Sequence, residues 1–61
     1  MTIAKKIDTV KFTLDRLERG AYTLYDIHWV CDSIAWLYKW GHITKTECHT
    51  LCDRAIAVMG V

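Results

Sequence analysis

Two copies of the pattern His-x-x-Cys-Asp, His28–Cys31–Asp32 and His49–Cys52–Asp53, stand 21 residues apart in this 61-residue chain. With His42 and Cys48 they make six soft side chains of the kind that bind zinc. A structural zinc takes four such ligands at about 2.0–2.3 Å in a tetrahedron. Positions three apart share a helix face, so each His-x-x-Cys pair is a reasonable half site. His28, Cys31, His49 and Cys52 are therefore the metal candidates. The same thiols would act as nucleophiles only if they were exposed and of low pKa.

The elements that carry these pairs decide between the readings. Glycines at 20, 41 and 60 each follow a stretch of helical apolar spacing, where a left-handed C-terminal cap belongs. No proline interrupts the chain. The periodicity predicts three helices, over about 2–19, 23–40 and 44–59. Ile3, Ile7, Val10, Leu14 and Leu17 form a heptad-type seam on the first. Phe12 lies about 180° from that seam, which cannot bury it. Thr23 with Asp26, and Thr44 with Glu47, have the spacing of capping boxes. Tyr22 and Ile43, just ahead of the caps, are placed to staple onto Ile27 and Cys48. The connections "GAY" and "GHI" are too short for anything but antiparallel neighbours. The expected fold is all-α: an antiparallel up-down-up three-helix bundle, a single helical domain over 1–61.

Antiparallel geometry weighs against the metal. Counting about 1.5 Å per residue from the turn at 41–43, Cys31 and Cys52 stand nearly level, about 14 Å along their helices. His28 and His49 then lie on opposite sides of that level and diverge by about 10 Å. Repeats on antiparallel helices run in opposite directions, so one tetrahedral site is not expected, and neither is any cofactor. The bland reading places all three cysteines in apolar stripes. These are Leu24, Ile27, Val30, Cys31, Ile34, Ala35 and Tyr38 on the second helix, and Cys48, Leu51, Cys52, Ala55, Ile56 and Met59 on the third. The thiols are then expected to be buried, reduced, and to behave as small hydrophobes. The Gly-Thr-His-Cys-Asp echo is mainly a recipe for ending one helix and starting the next.

Composition removes several function classes. A chain of this size is marginal on its own and usually needs a metal, a disulfide, idealised packing or a partner chain. The formal net charge is +1, with cations and carboxylates intermingled, so no broad basic field is available for a phosphate backbone. Three cysteines are an odd count, which argues against a secreted disulfide framework. Charges interrupt "MTIAKKIDTVK", which is therefore not the apolar core of a signal peptide, and Asp26, Asp32 and Lys39 break any membrane span. A cytoplasmic protein is expected. With no Gly-rich phosphate loop and no unburied nucleophile–base pair, an enzyme is not.

The second helix carries the most informative feature. Tyr25, Trp29, Trp36 and Trp40 follow steps of 4, 7 and 4 and fall within about 60° of one another, roughly opposite the expected core stripe. Ser33 lies among them and Phe12 is a possible extension from the first helix. Trp and Tyr dominate interface hot spots, and a contiguous exposed aromatic patch marks a partner site. The expected partner is a protein, with self-association as a dimer included and nucleic acid disfavoured. Two alternatives stand beside this. A helix-turn-helix-like DNA-binding regulator would read with the third helix, although that helix offers only Lys45 and Arg54 as cations. A small His/Cys zinc module is the other.

The stretch "WLYKWGHIT" followed by "LCDRAI" resembles very short helical orphan proteins of bacteriophage and mobile elements. The likeness covers about half of the chain, from Ser33 onward. It implies a stoichiometric inhibitor or regulator of host machinery, of the anti-CRISPR or anti-defence kind, acting in the host cytoplasm. It assigns no role to any residue.

Overall fold

The computed structural model describes residues 2–60. Three helices follow one another: α1 (Ile3–Glu18), α2 (Leu24–Lys39) and α3 (Lys45–Val58). Each expected range runs one residue beyond the helix at either end, taking in its N-cap and C-cap. The helices pack pairwise around a shared core as an up-down-up bundle.

Local chemistry fixes where each helix begins and ends. The Asp26 amide donates to Thr23 Oγ1 at 3.3 Å, and the Thr23 amide donates to Asp26 Oδ2 at 3.0 Å. The same reciprocal box joins Glu47 and Thr44 at 3.1 and 3.0 Å. Each box satisfies two backbone donors that a helix start leaves orphaned. Thr2 caps α1 by accepting from the Lys5 amide, a cap the periodicity alone does not reveal. At the far end of α2, Gly41 adopts φ +74°. Its amide donates to Tyr38 O, and the His42 amide donates to Leu37 O at 2.8 Å. This is a Schellman turn, and it needs a residue that enters the left-handed region freely. The turn after α1 repeats it, with the Ala21 amide donating to Arg16 O.

The core holds Val10, Leu14 and Leu17 of α1, Val30, Ile34 and Leu37 of α2, Leu51 and Ala55 of α3, and Ile43 of the second connection. The α1 seam is buried as its spacing predicts, and Phe12 is left outside, 62% exposed. The other two helices depart from expectation. On α2 the inward face is Ile27, Val30, Ile34 and Leu37, while Leu24, Cys31, Ala35 and Tyr38 are exposed. The inward axis is turned by about 60° from the expected stripe, at about 100° per residue. Every helix here packs against both of the others, and on α2 the side that meets them is the one carrying Val30, Ile34 and Leu37.

On α3, Leu51 and Ala55 are buried, but Ile56 and Met59 are exposed. The expectation of three buried thiols is likewise corrected. Cys31 is exposed, and Cys48 and Cys52 are half-buried at the edge of the core. All three thiols are free. Of the six residues in the expected α3 stripe, two are buried, two are half-buried and two are exposed.

Candidate functional site

The turned register of α2 moves its aromatic residues from the back of the helix to its flank beside α1. Trp29 packs half-buried against the core, whereas Trp36 is 41%, Trp40 61% and Tyr25 75% exposed. Along the helix the two inner rings, Trp29 and Trp36, are the more covered, and the two outer ones, Tyr25 and Trp40, the more exposed.

Lys6 of α1 closes this face. Its Nζ lies 5.6 Å from the Trp29 ring centroid and 5.2 Å from that of Trp36. Both distances are within the range of cation–π attraction. No carboxylate pairs with Lys6 among the described residues. On its other side, Trp36 stacks with His42 at 5.4 Å between centroids and 29° between planes. His42 is held there by the Schellman turn, so the α2–α3 connection supports the aromatic face directly. Lys39 Nζ sits 5.8 Å over the Trp40 ring.

Lys6, Tyr25, His28, Trp29, Asp32, Ser33 and Trp36 line a shallow recess of about 350 Å³. Ser33 is its buried polar member, 4% exposed. Its hydroxyl has no hydrogen-bond partner among the described side chains, yet it is not a sealed orphan. It therefore meets solvent through the recess. Ser, His and Asp share this lining, but they form no relay. His28 and Ser33 are five positions apart on one helix and point about 140° away from each other. No hydrogen bond joins Ser33, His28 and Asp32, so the nucleophile–base–orienter geometry of acyl transfer is not assembled.

Phe12 does not extend the aromatic face. It lines a separate depression with Lys5, Asp8 and Thr9 and shares no residue with the recess. Of the expected surface, the structure brings together Tyr25, Trp29, Ser33 and Trp36, with Trp40 one turn further on. Periodicity misses Lys6 and His42. Each belongs to a different element from the tryptophans, and only packing brings them there.

Among the described residues, no three of His, Cys, Asp and Glu converge where a metal ion could sit. Burial chiefly pushes the Cys52 thiol up, and Cys48 adds to that. This is the opposite of a reactive thiol. On α3, Arg54 is committed to α1: it donates to Asp15 Oδ1 and Glu18 Oε1, both at 2.7 Å. That leaves Lys45 as the unpaired Lys or Arg of this helix among the described residues. No family model, curated protein or solved structure matches the chain.

Proposed function

We propose that the protein is a non-enzymatic interaction module whose contact surface is the flank of α2 carrying Tyr25, Trp29, Trp36 and Trp40. The observation that carries this reading is the row of partly anchored aromatics left uncovered by the other two helices. Trp and Tyr bring large contact area at small conformational cost, and pre-anchored rings lose little freedom on binding. Lys6 adds a cation held against the rings without a carboxylate partner. The resemblance to phage and mobile-element proteins supports a stoichiometric regulator or inhibitor of a cytoplasmic host protein, of the anti-defence type. The commitment of Arg54 to α1 counts against α3 as a DNA reader, since phosphate contacts need free cations. No helix among the described residues is long and apolar enough to cross a membrane.

Affinity capture from host lysate tests the proposal, with Trp29→Ala/Trp36→Ala beside the wild type. A captured protein should be lost with the double variant and kept with Phe12→Ala. Equal recovery by all three would remove the aromatic face from the function.

A further inference from the structure

All three tryptophans of the chain stand on the flank of α2. None of their indole N–H groups finds an acceptor among the described residues. An indole nitrogen is a donor only, and so is an ammonium group. Lys6 lies against Trp29 and Trp36, and Lys39 against Trp40. Neither lysine has a carboxylate partner among the described residues. Three indoles and two ammonium groups thus make the flank a surface of unpartnered donors. The unpaired carboxylate set beside them is Asp32, in the recess. Whatever covers this surface and excludes water must bring acceptors, because a donor left without one keeps the full cost of its desolvation. It must also bring negative charge, because two ammonium groups outweigh one carboxylate.

The ring faces narrow the choice of occupant. Lys6 takes a face of Trp29 and of Trp36, Lys39 takes a face of Trp40, and His42 stacks on Trp36. Single-stranded nucleic acid stacks its bases on open aromatic faces, along a groove that tracks the phosphates with positive charge. Here the faces are partly occupied, and two ammonium groups with a carboxylate beside them make no such track. The N–H edges of the rings are what remains unpartnered. An edge donor next to an ammonium group suits a carboxylate, which accepts through two oxygens and carries the matching charge.

We infer that the aromatic flank of α2 docks an acidic segment of a partner protein, whose Asp or Glu carboxylates pair with Lys6 and Lys39 and accept from the indole N–H groups. This rests on the reading of the flank as a protein interface and names the chemistry of its occupant. The apolar parts of the rings cover the aliphatic stems of the acidic side chains. Asp32 repels the same partner, and so acts against indiscriminate capture of polyanions.

Tryptophan fluorescence reads this flank alone, since every tryptophan of the chain lies on it. The test titrates the full chain at neutral pH and low salt with poly-L-glutamate, and in parallel with oligothymidylate of matched charge. Far-UV circular dichroism verifies that each variant is folded. Polyglutamate should shift the emission to saturation, more tightly than oligothymidylate, and added salt should weaken it. Lys6→Gln should weaken the binding on the order of tenfold, and Lys6→Arg should keep it. Lys45→Gln removes the same charge from α3 and should leave it unchanged. Asp32→Asn should tighten it by about threefold. A folded chain whose emission ignores polyglutamate overturns the inference. So does Lys45→Gln weakening the binding as much as Lys6→Gln, which would assign it to bulk charge, or tighter binding of oligothymidylate. The interface reading fails separately. If polyglutamate does not bind but protein capture still requires Trp29 and Trp36, only the acidic partner falls. If Trp29→Ala/Trp36→Ala leaves capture intact as well, the flank is not an interface.

Discussion

Glu47 and Glu18 show how single residues tie this fold to pH. The Thr44 backbone amide, followed by its side chain, holds the Glu47 carboxyl below the usual carboxylate range. Glu18 is lowered chiefly by its hydrogen bond from Arg54. A folded-state value below the unfolded one stabilises the fold at pH above the unfolded value, about 4.3. That contribution is lost as pH falls through the lower folded value. Thermal stability should therefore drop as the solution is acidified below about pH 5. Glu47→Gln keeps an acceptor for the Thr44 amide and loses the titrating charge, so its melting temperature should vary less over the same range. A variant that tracks the wild type at every pH would show that the box contributes no acid sensitivity. Thr44→Ala removes the cap itself and should cost about 1 kcal/mol in urea unfolding at neutral pH. Both boxes were legible in the sequence, because a cap is a contact between residues three apart.

At the scale of the element, α2 holds two competing apolar rows. Leu24, Cys31 and Tyr38 recur at steps of seven, and Ile27, Val30, Ile34 and Leu37 at steps of three and four. Both are visible in the sequence, and their strengths are similar. The second is the one turned inward, against α1 and α3. Mutation should report that choice. Leu37→Ala opens a cavity at a fully buried site and should cost about 2–5 kcal/mol. Cys31→Ser, on the exposed row, should change stability by less than about 0.5 kcal/mol. Chemical denaturation compares the two, and the reverse order would restore the stripe that spacing suggested. The same turn of the helix decides the function proposed here. It brings Trp29 onto the core edge and leaves Trp36, Trp40 and Tyr25 as an uncovered flank.

For the whole molecule, the tie between the first and last helices is Arg54. Its guanidinium reaches Glu18 through both Nε and Nη2 and Asp15 through Nη2, across 36 and 39 residues of sequence. These groups are partly exposed, so solvent and salt weaken the pairing. Arg54→Met keeps the aliphatic stem and loses the charge. It should lower the melting temperature slightly at low salt, and the difference should shrink as salt is raised. A salt-independent difference would assign the effect to packing.

The sequence by itself determined what is local and periodic. Gly20 and Gly41 as stops, Thr23 and Thr44 as starts, the α1 seam and the antiparallel order all follow from contacts a few residues apart. The level placement of Cys31 and Cys52, and the parting of the histidines, are expectations from rise per residue alone. Tertiary structure decided everything that depends on which way a helix is turned. It sent Cys31 and Ile56 outward, separated Phe12 from the tryptophans, and set Lys6 and His42 on either side of Trp36. The physical reason is that a helix buries the side facing the sum of its neighbours. Periodicity lists the sides on offer, and only the packed bundle selects among them.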